Sequence, residues 1–172
     1  MKKEGLLRVV LFLFMIAPVT SNVKAGLNPY QRPINNLHLS LFGDASIITL
    51  NYERFFVNNR KFFLAGRIGT GYSESRGLPN GNTSLYSLPL HLTANYGEWN
   101  HYFEGGLGAT LLFYGNFQYW DFALYPIIGY RMQPFKKDRF SFRVFASYPL
   151  THKIDIKKYW FFPVGVSFGF CF

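Results

Sequence analysis

One cysteine stands among 172 residues, and acidic side chains are half as numerous as basic ones, 9 against 18. Cys171 alone makes neither an intrachain disulfide nor a cysteine zinc site. His38, His91 and His101 are scattered along the chain, so no metal site is expected, and nothing calls for a cofactor. Long apolar runs are also scarce. Past residue 17 no stretch reaches the roughly 20 residues of a membrane-spanning helix. What is abundant is aromatic: 20% of the chain is Phe, Trp or Tyr, yet mean hydropathy is only +0.02. That mixture suits strands in which each large apolar residue is offset by a small or polar neighbour.

The final segment, residues 160–172 (WFFPVGVSFGFCF), displays the pattern most clearly. Trp160, Phe162, Val164, Val166, Phe168, Phe170 and Phe172 share one parity. Pro163, Gly165, Ser167, Gly169 and Cys171 share the other, with Phe161. A period of two is a strand with one greasy face and one small face. Similar alternation marks strands over 35–42, 46–56, 61–72, 86–96, 101–113, 119–132 and 139–150. Gly43-Asp44 is the weak joint: as a turn it gives eight strands, as a kink within 37–56 it gives seven. Pro89, Pro126 and Pro163 fall inside strands, where each removes a ladder donor. They mark bulges or pairing that thins toward the loop ends.

The first residues have the layout of a secretory signal peptide. Lys2, Lys3 and Arg8 precede the apolar run VVLFLFMIA, and Val23-Lys24-Ala25 offers a cleavage site between Ala25 and Gly26. The run is too short for a spanning anchor. Cleavage removes four basic residues and Glu4, leaving 14 basic and 8 acidic in the mature chain, a net of +6. Such charge on an exported chain is directed to lipid phosphates rather than nucleic acid. The expected organisation is therefore a signal peptide over 1–25, a periplasmic segment over 26–34 and a barrel over 35–172. The expected fold is all-β, an eight-stranded antiparallel up-and-down barrel crossing the outer membrane. The short turns at 57–60, 97–100 and 133–138 alternate with the others, which puts both chain ends in the periplasm.

A soluble sandwich or lipocalin-like barrel would put its apolar parity inside and its polar parity outside. Here the apolar parity carries most of the aromatics. The other is mostly Gly, Ala, Ser and Thr with a few charges, which fits a narrow interior and makes a poor solvent surface. That interior parity holds Glu53, Arg67, Asn95, Glu104, Arg131 and Arg143, with Asn51 and His91. Glu53, Asn95, Glu104, Arg131 and Arg143 count to one level. Charges in so narrow a space must pair, so an ion-pair network that plugs the barrel is expected, with a gate or narrow ion path as the alternative. Enzymatic chemistry is the rival class, of the lipid A-modifying kind. Its candidates are Ser147, His152 and Asp155, with Asp121, a trio that any polar loop yields by chance. The chain is read as non-enzymatic. Lys153, Lys157 and Lys158 in one basic loop, with Arg76 in another, are candidates for contact with lipopolysaccharide phosphates.

On the signal peptide, the segments SIITLNYERFF (46–56) and LPLHLTAN (88–95), Tyr130-Arg131 and the ending VGVSFGFCF (164–172), the chain resembles the small outer-membrane β-barrels of the OmpA-transmembrane or OmpX type. The resemblance covers roughly 35–172 and speaks for architecture rather than activity. It implies a monomer in a Gram-negative outer membrane, with periplasmic chaperones and the barrel-assembly machinery as transient partners. It also implies that Phe170 and Phe172 form an assembly signal. Deletion of Phe172 is then expected to lower the yield of membrane-inserted protein, measured by the fraction that migrates as a compact band without heating. Equal yields with and without Phe172 would count against that role.

Overall fold

The computed structural model describes residues 32–44, 46–78, 81–114, 119–134, 139–150 and 162–172, with no account of the side chains of 74–78, 81–83 and 114. Eight strands close into an antiparallel barrel in which each strand pairs with its sequence neighbours and β1 pairs with β8. The strands are β1 Asn35–Leu41, β2 Ile48–Asn58, β3 Phe62–Leu78, β4 Gly81–Glu98, β5 His101–Tyr114, β6 Tyr119–Met132, β7 Phe140–Ser147 and β8 Val164–Cys171. Closure is continued past the ladder by the amide of Asn35 on the carbonyl of Phe172 and the reverse bond, at 3.2 and 2.9 Å. Such closure leaves neither β1 nor β8 as an edge strand.

Gly43 sits in a turn, so the count is eight. Phe42, Gly43 and Asp44 take positive φ values of 60, 68 and 51°. Three left-handed residues in a row reverse the chain between β1 and β2, and two of them lack the freedom of glycine. Phe42 shares the parity of His38 and Ser40 along the chain but is turned outward against Phe162, with ring centroids 4.6 Å apart.

Other boundaries differ from the sequence expectation. The β3–β4 hairpin continues to a Leu78↔Gly81 pair, through residues expected to form a polar loop. Ser73↔Leu85 and Glu74↔Ser84 extend its ladder, so backbone pairing prevails over turn-forming composition there. β8 begins at Val164, leaving Phe162 and Pro163 before the strand; Trp160 and Phe161 lie outside the described residues. β7 stops at Ser147 rather than at 150.

The prolines explain where pairing thins. The β3–β4 ladder passes from Ile68↔Leu90 to Gly71↔Ser87, omitting the position of Pro89, which has no N–H to offer β3. The β6–β7 ladder begins at Ile127↔Ser147, one residue past Pro126. Pro163 keeps only an acceptor role, its carbonyl taking the Ser147 amide at 2.8 Å.

Parity sorts the two faces of the wall. Phe103 is 61% exposed while Glu104, its neighbour in the chain, is 0% exposed. Along the outside, ladder partners form an aromatic row Phe62–Tyr96–Phe103–Tyr130 at the end that holds the chain termini, hereafter the termini end. A second row, Tyr72–Tyr86–Phe113–Trp120, runs near the opposite, loop end. Ile68, Leu90, Leu92, Leu107, Ala109 and Leu124 lie between them.

Inside, small and large residues interlock. A Cβ on Gly165 would stand 2.5 Å from the Phe145 ring, and one on Gly108 would stand 2.1 Å from the Tyr125 ring. These glycines are the recesses into which aromatics from other strands project. Gly108→Ala is expected to cost about 1–3 kcal/mol by overpacking, measured by urea unfolding of the refolded barrel in micelles. The cost should shrink in a Tyr125→Leu background, because the two residues share one space; equal costs in both backgrounds would contradict this packing.

Candidate functional site

The interior is stacked in three layers. At the termini end, Phe55, Phe63, Ala65 and Tyr102 form an apolar layer. Phe63 lies 4.5 Å from Phe55 and 5.1 Å from Tyr102, centroid to centroid. Arg32, from the segment before β1, caps this layer. Its guanidinium lies 4.5 Å from the Tyr102 ring centroid and 5.2 Å from that of Phe63. It donates to Asn58 Oδ1 at 3.1 Å and to the Asn59 carbonyl at 2.7 Å, and also to the Arg60 carbonyl and the Tyr102 hydroxyl.

The middle layer is a charged belt. Glu53 is its hub, taking hydrogen bonds on one oxygen from Asn36 (2.9 Å) and on the other from Arg67 (2.8 Å) and Arg131 (2.6 Å). His38 Nε2 stands 3.3 Å from the first oxygen. Asn36 and Arg67 face Glu53 directly across the β1–β2 and β2–β3 ladders, so register alone brings them together. Arg131 reaches it from β6. Arg143 grips Glu104 with Nε and Nη2, at 2.6 to 2.9 Å, in the forked geometry that guanidinium and carboxylate share. Arg131 and Arg143 are direct ladder partners, a like-charge pair. Two carboxylates relieve the repulsion: Arg131 donates to Glu53 and stands 3.6 Å from Glu104, which Arg143 grips.

The sequence-derived set is therefore largely brought together: Glu53, Arg67, Glu104, Arg131 and Arg143 form one run of contacts, and Arg67, expected off that level, belongs to it. Asn95 does not join. It sits opposite Glu104 in the ladder, but its side-chain amide donates to Thr93 at 3.3 Å.

The loop-end layer holds Leu85, Leu112, Ala123, Tyr125, Ile127 and Phe145. Within it lies a polar cluster that strand-by-strand reading passes over. His91 Nε2 is 3.1 Å from Asp44 Oδ1 and 3.0 Å from the Tyr125 hydroxyl. One ring N–H cannot point at both. Hydrogen-bond geometry is met by the hydroxyl, and both Asp44 oxygens are left without a hydrogen bond. The Tyr125 hydroxyl also meets Thr110 Oγ1 at 2.7 Å. The β1–β2 turn delivers Asp44 here, and Thr110 Oγ1 donates to its carbonyl at 3.3 Å. Ser46 bonds Ser87 beside it. Tyr125 was legible, since it shares the inner parity of Ala123 and Arg131; Asp44 was not, because a turn residue has no parity.

Aromatic faces bracket the belt. The Arg143 guanidinium lies 3.9 Å from the Phe145 ring centroid on the loop side, and that of Arg131 lies 5.6 Å from Phe63 on the termini side. The interior is thus packed with side chains, and its aromatics correct the expectation of mostly small inner residues.

Of the remaining candidates, Ser147 is buried and inward at the loop end of β7, opposite Ile127. Asp121 lies six residues further along β6, about 20 Å at strand rise, and its carboxylate takes the amide of Phe122. His152, Asp155, Lys153, Lys157, Lys158, Ala25 and Gly26 lie outside the described residues. Arg76 is within β3, though its side chain is not described. Phe170 and Phe172 are exposed on the outer face, and Phe170 pairs with Leu37 and Phe140. Among the described residues no group of three or more His, Cys, Asp or Glu could hold a metal ion.

Removing one member of the belt leaves its partner charged and buried. Glu104→Gln is expected to destabilise the barrel by about 3–5 kcal/mol, whereas Glu104→Leu combined with Arg143→Met should recover most of the loss. Denaturant unfolding in micelles measures both, and a double variant no more stable than the single one would refute the pairing as the cause.

No protein-family model matches the chain. No curated protein and no solved structure matches it either.

Proposed function

We propose that this chain is an integral β-barrel of a Gram-negative outer membrane, with a filled interior and a structural or surface-contact role rather than catalysis. One observation carries the reading: the polarity of the barrel is inverted. Its wall turns Leu37, Leu39, Leu50, Leu92, Leu107, Ile128 and Phe168 outward, all at least one-third exposed, and encloses Glu53, Arg67, Glu104, Arg131 and Arg143. In water such a closed apolar belt far exceeds the patches monomeric proteins expose. Hydrocarbon removes that penalty, and a closed barrel meets the requirement that every backbone group be paired within it.

The spacing of the two aromatic rows supports the same solvent. Tyr86 and Tyr96 lie ten residues apart on β4. At about 3.3 Å per residue and a tilt near 40°, the rows are roughly 25 Å apart along the barrel axis, the height of the apolar band of an outer-membrane barrel. Tyr and Trp at both borders suit the membrane–water interfaces. Both chain ends then face the periplasm, lipids and lipopolysaccharide surround the wall, and assembly proceeds through periplasmic chaperones and the barrel-assembly machinery. On this reading Arg76, Lys153, Lys157 and Lys158 are the candidates for contact with lipopolysaccharide phosphates. No part of this needs a partner subunit, and the protein acts as a monomer.

The packed interior supports the non-conducting, structural form of this reading: an eight-stranded barrel is just wide enough for side chains to fill. Heat modifiability of membrane fractions tests it. The folded protein is expected to shift mobility between unheated and boiled samples and to sediment with the outer membrane. Recovery in the soluble fraction with no shift would overturn the proposal.

A further inference from the structure

The outside of the wall is not smooth. A cavity of about 530 Å³ runs across it from β2 to β6, within the size range of small-ligand sites. Its floor is low where the outer residues are small, at Gly66 and Ala109, and Ile68, Leu90, Leu107 and Leu124 give it apolar sides. One end differs. Arg54 lines it there beside Phe56, whose ring lies over Gly66, 2.5 Å from where a Cβ would stand. Among the described residues, Arg54 is the only charged side chain on the outer parity of the strands between the two aromatic rows. An arginine facing hydrocarbon is costly, and the cost falls toward the interface.

Strand tilt decides at which level that end lies. Followed from Phe62 through β4 to β8 and then β1 and β2, ladder partners return to β3 at Tyr72, ten residues nearer the loop end. Each step from β2 toward β6 therefore climbs the wall. Arg54 shares a ladder row with Gly66, Leu92, Leu107 and Pro126, and Leu124 stands two residues above Pro126 on β6. At about 3.3 Å per residue, about 4.8 Å between strands and a tilt near 40°, the line from Arg54 to Leu124 climbs roughly 17 Å, close to half of the ~30 Å hydrocarbon core. Arg54 falls at the level of Tyr96 and Phe103, the border at the termini end. The groove thus has a cationic end at one interface and an apolar length that reaches about one leaflet deep.

We propose that this groove seats one acyl chain of an anionic phospholipid of the periplasmic leaflet, with the lipid phosphate on Arg54. The inference rests on the reading that the barrel spans an outer membrane. A guanidinium suits a phosphate in charge and in forked geometry, and a phosphate at the interface offsets the cost of an arginine on the lipid face. Gly66 and Ala109 leave the depth that the chain occupies.

The barrel refolded in nonionic micelles doped with phosphatidylglycerol, and checked for a heat-modifiable band, is to be weighed by native mass spectrometry. One phosphatidylglycerol per chain is expected to survive stripping of the micelle. Arg54→Gln should lower that retention roughly fivefold, the weight of one arginine at an anionic lipid surface. Ala109→Phe, which fills the floor and keeps the charge, should lower it as well. Arg139→Gln removes an exposed arginine that lies over Phe170, outside the groove, and should leave retention unchanged. Excess inorganic phosphate should not displace the lipid, because it brings no chain. The proposal is overturned if Arg54→Gln retains lipid equally, if Arg139→Gln loses it equally, if phosphate displaces it, or if a pair of chains without lipid is the species retained. Failure of both Arg54→Gln and Ala109→Phe to give the heat-modifiable band would also overturn it, since the groove would then serve folding. A barrel that is heat-modifiable but keeps no lipid refutes this inference and leaves membrane residence standing.

Discussion

Glu53 has no water to turn to, and the middle of the barrel is arranged around that fact. A carboxylate at 1% exposure loses its hydration, and the cost is several kcal/mol unless donors replace the lost water. Asn36, His38, Arg67 and Arg131 supply them from three different strands. Each donor brings its own demand. Arg131 must be kept from Arg143, its ladder partner, and Arg143 must find Glu104. The charges are thus mutually dependent, and one carboxylate sets where three guanidiniums lie.

The layers on either side follow from the same constraint. A buried ion network is stable only if solvent stays out, and both ends are filled. Arg32 and the Phe55, Phe63 and Tyr102 rings occupy the termini end. Phe145 and Tyr125 fill the loop end, projecting into space left by Gly165 and Gly108. The small inner residues are therefore the complements of large ones on the neighbouring strands. A barrel lined only by small residues would leave voids or admit water, and the ion pairs would weaken accordingly.

Much of this is readable along the chain because parity is a local property. Leu37, Leu39 and Leu41 announce the outer face of β1 as clearly as His38 and Ser40 announce the inner one. Glu53, Glu104, Arg131 and Arg143 fall on inner parities and count to one level, so the charged belt is legible before any contact is known. Arg67 is harder to place, because the bulge between Phe55 and Val57 shifts the count from the β2–β3 turn. Asn95 shares the level of Glu104, but its side-chain N–H donates to Thr93 on its own strand. The extended β3–β4 hairpin is hidden by Gly77, Pro79, Gly81 and Asn82, whose composition reads as loop although backbone pairing runs nearly to its tip.

Alternation of large apolar with small or polar residues, repeated along a chain with no long apolar helix, determined by itself an all-β protein with its polar face turned inward. Periodicity suffices for that, because a strand has only two faces and each residue must choose one. Tertiary structure alone decided that Asp44 enters the lumen, that Arg32 stops its mouth, and which carboxylate each arginine serves. Those outcomes depend on a left-handed turn, on closure of β1 against β8, and on distances across the barrel. The chain encodes none of them locally, since the partners lie up to 78 residues apart and meet only when the wall is closed.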